Sequence, residues 1–126
     1  MENSKLIEYA IEAQKNAYAP YSKFMVGAAL LCSDGKVYTG CNIENSSYGA
    51  SNCAERTAVF KAVSEGERNF EKIAIVSSSE DFTFPCGICR QVLWEFMPEG
   101  YVVLFSKSGG IKEFSVRELI PEAFRL

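Results

Sequence analysis

Two short segments constrain this chain more than anything else in it: Asn52-Cys53-Ala54-Glu55-Arg56 and Pro85-Cys86-Gly87-Ile88-Cys89-Arg90. Each stands where a polar loop runs into a helical pattern. The sulfurs of Cys53, Cys86 and Cys89 can share one point only if the fold brings two helix N-termini together. Two strand–helix units in one sheet do this at a sheet edge, with right-handed crossovers. The rest of the pattern agrees. Apolar positions at helical spacing over 4–18 predict a first helix stopped by Pro20. Apolar runs at 25–32 and 37–41 flank Ser33-Asp34-Gly35-Lys36, a hairpin signal. Residues 43–52 read as loop and 53–65 as a helix ending at Gly66. A strand is expected at 72–77, then a helix at 86–97 with Ile88, Val92 and Phe96 on one face. Strands at 101–105 and 111–114 and a short helix at 115–119 complete the chain. The expected fold class is α/β: a mixed, mostly parallel sheet with helices on both faces.

The bulk properties narrow the function classes. With 126 residues, the chain has material for one core, and a single domain over 1–126 is expected. The net charge is −3 and the 13 basic residues are scattered, so no stripe suits a phosphate backbone. A small neutral or cationic substrate fits better than nucleic acid. No apolar run reaches the ~18 residues of a membrane span. Met1-Glu2-Asn3-Ser4-Lys5 lacks the basic start and apolar stretch of a secretory signal. A cytoplasmic location with reduced thiols is the expectation. Five cysteines make an odd number, which argues against a disulfide framework and for metal ligation or burial. Cys32 and Cys41 lie inside apparent strands and are expected in the core.

Three thiolates suit zinc, a borderline-soft ion that prefers tetrahedral N/S coordination. Three protein ligands leave a fourth position for water, the catalytic pattern rather than the closed structural one. Helix N-termini favour the thiolate form. Three thiolates and one Zn²⁺ still sum to −1, and Arg56 is spaced to offset that charge by donating to a cysteine sulfur. Glu55, two residues after Cys53, can reach the fourth position without being a ligand, as a general base and acid. Each piece has a plainer reading. Cys86-x-x-Cys89 could be a redox pair or half of a structural zinc site, Cys53 a buried thiol, and Glu55 a capping residue paired with Asn52. The joint pattern is more specific than its parts, because a structural site needs a fourth ligand and the chain has no histidine to offer one.

The pattern Cys-x-Glu followed by Pro-Cys-x-x-Cys resembles the signature of zinc nucleoside and nucleobase deaminases, a class whose zinc chemistry is well described. Within it, the chain resembles the small homotetrameric cytidine deaminases over nearly its whole length. The resemblance includes Ala19-Pro20-Tyr21-Ser22-x-Phe24-x-Val26-Gly27-Ala28-Ala29, Gly40-Cys41-Asn42-Ile43-Glu44-Asn45, Cys53-Ala54-Glu55-Arg56 and Pro85-Cys86-Gly87-x-Cys89-Arg90-Gln91.

That resemblance implies a three-layer αβα fold and one Zn²⁺ per subunit. It implies hydrolytic loss of the C4 amino group of cytidine and 2′-deoxycytidine, in pyrimidine salvage. It further implies that Phe24 stacks on the pyrimidine, that Asn42 and Glu44 bind the ribose 3′-hydroxyl, and that the Ala54 N–H contacts the base O2. Phe24 could equally be core, and Asn42 and Glu44 a solvated turn, on the residues alone. Tyr48 and Phe124 fall in regions that cross subunit interfaces in the family, so a homotetramer is implied, with both acting in a neighbour's site. Two other readings compete. A deaminase of an aminated nucleoside antibiotic such as blasticidin S would share both cysteine motifs. A non-enzymatic zinc-binding module would need Glu55 only as a cap.

Overall fold

The computed structural model describes residues 1–126 and holds a five-stranded sheet between two helical layers. In chain order the elements are α1 (Asn3–Gln14), β1 (Val26–Cys32), β2 (Val37–Cys41), α2 (Ala54–Ser64), β3 (Phe70–Ser77), α3 (Gly87–Phe96), β4 (Tyr101–Ser106), β5 (Gly110–Ser115) and α4 (Val116–Leu119). The strand order is β2-β1-β3-β4-β5.

The α/β class and the helices on both faces match the expectation, but the sheet is not mostly parallel. Only β3 and β4 pair parallel; β1 pairs antiparallel with both β2 and β3, and β5 antiparallel with β4. The cause lies in one connection. The chain leaves β2, crosses over β1 through α2 and enters β3 on the far side. β2 and β3 therefore run in the same direction without touching, and β1 separates them. The expected crossover exists; the expected adjacency does not.

Side-chain alternation in the strands builds a core on each face. Leu6, Ile7 and Ala10 of α1 pack on Ala29, Leu31, Ala74, Val76 and Val103. On the other face, Ala58, Val59 and Ala62 of α2 and Leu93 of α3 cover Leu30, Ile73, Ile75, Val102 and Leu104. The buried stripe of α3 is Cys89 and Leu93, four residues apart, with Val92 and Phe96 at its margin. Ile88, expected on that stripe, is 62% exposed.

Two departures from the expected boundaries help build the site. α1 ends at Gln14, not near Tyr18. The Tyr18 backbone is instead paired with the loop after β2: its N–H donates to the Asn42 carbonyl at 2.9 Å and its carbonyl accepts from the Glu44 N–H at 2.8 Å. The same loop closes on itself, with Ile43 and Asn52 exchanging both backbone bonds at 2.9 Å. Residues 42–44 are thereby held between the segment before β1 and the start of α2. Gly40 lets α2 approach that closely, since a Cβ there would lie 2.5 Å from the Ala54 carbonyl oxygen and from the Ala58 nitrogen.

Candidate active site and metal centre

Cys53 is the N-cap of α2 and Cys86 the N-cap of α3, and Cys89 lies in the first turn of α3. The expected meeting of two helix starts is present. The three sulfurs lie within 4.8 Å of one another, and Cys53 Sγ is 3.7 Å from Cys86 Sγ. Zinc–sulfur bonds of about 2.3 Å in a tetrahedron require sulfurs about 3.8 Å apart, so the donor set fits that ion. The electrostatics favour it too. The Cys53 thiol is held down at about 5, first by a hydrogen bond from Cys89 and then by Arg56 and Cys86, against the opposing effect of burial. Cys89 moves the other way, pushed up by its nearness to Cys53 and by burial. Thiols must lose their protons to ligate a metal, so metal uptake is coupled to proton release.

Arg56 Nη2 donates to Cys53 Sγ at 3.2 Å, as its spacing predicts. Burial works against its charge, but the bonds to Cys53 and Cys89 outweigh that and hold the guanidinium protonated. Glu55 sits in the first turn of α2 and is 5% exposed. Burial pushes its carboxyl up to about 7 and the Cys53 charge adds to this, while its own backbone N–H and Arg56 pull the other way. The capping reading of Glu55 fails here: the N-cap is Cys53, no side chain caps it, and the Asn52 amide donates to Thr57 Oγ1 at 3.1 Å.

A cavity of about 250 Å³ opens beside this cluster. Phe24, Asn42, Glu44, Ala54 and Glu55 all line it, together with Cys53 and Cys86. The structure thus gathers most of the expected site into one place. Ala54 opens α2, where backbone N–H groups lack an acceptor within the helix and are free for a ligand. Phe24 lies two residues before β1 rather than within it. Asn42 does more than its sequence suggests, bracing the segment entering β1: its Nδ2 donates to the Phe24 carbonyl at 2.7 Å and its Oδ1 accepts from the Val26 N–H at 2.9 Å.

Tyr48 is 75% exposed and lines a second cavity, about 340 Å³, shared with Glu44, Cys53 and Arg56. Its ring meets Tyr21 edge-on, with centroids 5.9 Å apart. Phe124 is 67% exposed and lines neither cavity; its carbonyl accepts from Gln91 Nε2 at 3.3 Å on α3. Cys32 is buried as expected, whereas Cys41, expected in the core, is only half-buried; neither belongs to the metal trio.

Sequence reasoning passed over Ser22, Thr83 and Phe84, which also line the cavity beside Glu55. Thr83 and Phe84 stand in the connection between β3 and α3, just before Pro85. Arg90 is a further support, joining the Cys86 turn to the end of α4 through Nε to the Pro85 carbonyl and Nη1 to the Leu119 carbonyl, both at 2.7 Å.

Residues 1–105 match the family described as the cytidine and deoxycytidylate deaminase zinc-binding region. A cytidine deaminase of Sporosarcina psychrophila is 53% identical over 98% of this chain and 92% of its own length. The crystal structure of a cytidine deaminase from Burkholderia pseudomallei superposes with a TM-score of 0.94 at 50% identity, covering 98% of this chain and all (100%) of that one. A blasticidin-S deaminase of Bacillus cereus is also similar, but at 30% identity, which weakens the antibiotic-deaminase reading. On its sequence and its fold alike, the chain belongs to the cytidine and deoxycytidylate deaminase zinc-binding family.

Proposed function

We propose that this chain, acting as one domain over 1–126, hydrolyses cytidine and 2′-deoxycytidine to the uridine nucleosides and ammonia, as in pyrimidine salvage. The observation that carries this reading is the buried Glu55 carboxyl at a cavity wall that also carries Cys53 and Cys86. Cys53, Cys86 and Cys89 would hold one zinc ion, which when bound supplies a water activated near neutral pH.

The remaining chemistry falls to the chain's own residues. Phe24 offers an aromatic face to the flat pyrimidine. The Ala54 N–H offers a donor to the base O2. Glu44 offers acceptors, and Asn42 both donors and acceptors, to the ribose 3′-hydroxyl. Both nucleosides carry that hydroxyl, so one site serves both. Glu55 takes a proton from the attacking water and delivers it to N3, which makes C4 electrophilic. The water oxygen bonds to C4; Glu55 then moves the remaining proton from that oxygen to the amino group, the C4–N bond breaks, and ammonia departs. A carboxyl that must both accept and return protons works best with a pKa near the working pH, which burial provides. Arg56 offsets the surplus charge of three thiolates.

The working form is proposed to be a homotetramer. Tyr48 and Ile88 stand exposed at the mouth of the site, and Phe124 is exposed with its backbone tied to α3. A neighbouring subunit covering these groups would close a site that one chain leaves open, with Tyr48 and Phe124 acting across the interface. A cytoplasmic location suits five free thiols, and no helix is long and apolar enough to cross a membrane. The partner is a small nucleoside, not nucleic acid or lipid.

The direct test is to incubate the protein with cytidine and follow loss of the cytosine absorbance band, with and without a strong chelator. Deamination that the chelator abolishes and added zinc restores is expected. No loss of the band with zinc fully bound would overturn the reading.

A further inference from the structure

Glu44 and Phe24 come from separate segments, yet a single hydroxyl touches both. Ser22 Oγ donates to Glu44 Oε2 and accepts from the Phe24 N–H at 3.0 Å. The Tyr21 and Ser22 N–H groups donate to the other carboxylate oxygen, at 3.0 and 3.1 Å. From Phe24 the bonds continue through Asn42 to Val26 at the start of β1. Between Ser22 and Phe24, Lys23 holds φ at 61°, a left-handed conformation that a side chain of its kind rarely adopts. Ser22, Phe24 and Glu44 line the same cavity. Ser22 and Phe24 are exposed, so core packing does not dictate this turn; the hydrogen bonds do. An ionised carboxylate has about four acceptor positions, and the turn occupies three of those on Glu44, leaving about one for a ligand. The bond from Ser22 also holds the Glu44 carboxyl below its usual range.

We propose that Ser22 is a positioning residue for nucleoside binding, its hydroxyl fixing the Glu44 carboxylate against the Phe24 backbone so that the sugar and base contacts are set together. This rests on the reading of Glu44 as the acceptor for the ribose 3′-hydroxyl. The hydroxyl touches no reacting atom. Its contribution is equal in ground and transition states, so it acts on KM rather than kcat.

The test compares Ser22→Ala, Ser22→Thr and Glu44→Ala on cytidine and on 3′-deoxycytidine. Ser22→Ala is expected to raise KM for cytidine roughly tenfold, the scale of one lost hydrogen bond to a charged group. kcat should hold within about twofold, as for loss of uniform binding. On 3′-deoxycytidine, which lacks the hydroxyl Glu44 would bind, Ser22→Ala should raise KM much less, since only the Phe24 side of the contact is then lost. Ser22→Thr, which keeps the hydroxyl, should restore the parent KM. An unchanged KM for cytidine in Ser22→Ala, or an equal rise on both nucleosides, overturns the proposal. Glu44→Ala separates the two levels. If it discriminates between the substrates and Ser22→Ala does not, Ser22 alone is misassigned. If it too fails to discriminate, the reading of Glu44 falls and takes the Ser22 proposal with it. Thermal unfolding checks that the variants fold. Ser22→Cys, with a similar volume and a poor donor, carries the same expectation if the alanine variant does not.

Discussion

Arg56 and Cys53, one turn apart on α2, meet at 3.2 Å between Nη2 and Sγ. This contact puts a fixed positive charge beside one sulfur of the metal trio. Three thiolates around a divalent ion leave one negative charge too many, and a guanidinium is the side chain that stays protonated while partly buried. Arg56→Ala should lower zinc affinity or deamination rate by about 10- to 100-fold, the usual range for a group bonded to a metal ligand. Competition with a chromogenic chelator measures the first and the initial rate the second. Unchanged values for both would mean that the contact is incidental.

The cysteines divide into two sets. Cys53→Ala, Cys86→Ala and Cys89→Ala should each lose zinc and activity. Cys32→Ala and Cys41→Ala should keep both. Cys32 is pushed up to about 11 by burial first, then by Glu67 and Asp34, so it remains a neutral thiol at pH 7. Its replacement should cost some stability from lost packing and leave the metal alone. Metal analysis of purified protein reads the outcome. Full zinc occupancy in Cys53→Ala would refute the ligand set.

Gly40 fixes how far α2 can sink onto β2, and hence where Cys53 and Glu55 stand. A methyl group there meets the backbone of α2, the Ala54 carbonyl oxygen and the Ala58 nitrogen, each at 2.5 Å. Backbone in a helix cannot swing aside as a side chain can. Gly40→Ala should therefore destabilise the protein by about 1–3 kcal/mol, the usual cost of overpacking. Activity should drop as well, since α2 carries Cys53 and Glu55. A denaturant midpoint equal to that of the parent chain would count against this account of the helix position.

The metal trio was legible in the sequence because its chemistry is local: Cys53 and Glu55 share one helical turn, and Cys86 and Cys89 another. The hairpin at Asp34-Gly35 was legible for the same reason, with Gly35 at a φ of 94°. The sheet order was not. Whether β3 pairs with β2 or passes over to β1 depends on contacts between residues some forty apart, and no local signal records that choice. The share of parallel pairing was overestimated on that account. The second roles of Asn42 and Glu44 were hidden too. Their partners are backbone groups of residues 21–26, which come together only once Tyr18 pairs with the 42–44 loop. Ser22 belonged to a segment already singled out, but a serine carries no chemistry of its own until Glu44 stands beside it.

Assembly should be visible in solution. Tyr48 and Phe124 bury little within one chain, so a subunit interface is expected to cover them. Light scattering should report a tetramer. Phe124→Ala should weaken cytidine binding more than it lowers the melting temperature, because its ring does not belong to either core. A monodisperse and fully active monomer would refute both the tetramer and the action of these residues in a neighbour's site.

The most decisive change is Glu55→Gln, which separates an enzyme from a metal-binding module. Glutamine keeps the volume and most of the hydrogen bonding of glutamate but cannot accept and return a proton. Zinc should stay bound, because the three sulfurs already supply the donor set and Glu55 is not among them. Cytidine should still bind, through Phe24, Asn42 and Glu44. Turnover should fall by at least the roughly 10² to 10⁴ typical of a lost general acid–base, and by more if one carboxyl serves several transfers. The structure sharpens the contrast with a purely structural role. Glu55 caps nothing, and burying its carboxyl carries a desolvation cost that a neutral amide avoids in part. If Glu55 only supported the helix, Glu55→Gln would be neutral or stabilising, with any activity intact. Zinc content, cytidine affinity, melting temperature and deamination rate measured on one preparation decide between these outcomes. Near-normal turnover in Glu55→Gln would overturn the proton-transfer role, whatever the metal content.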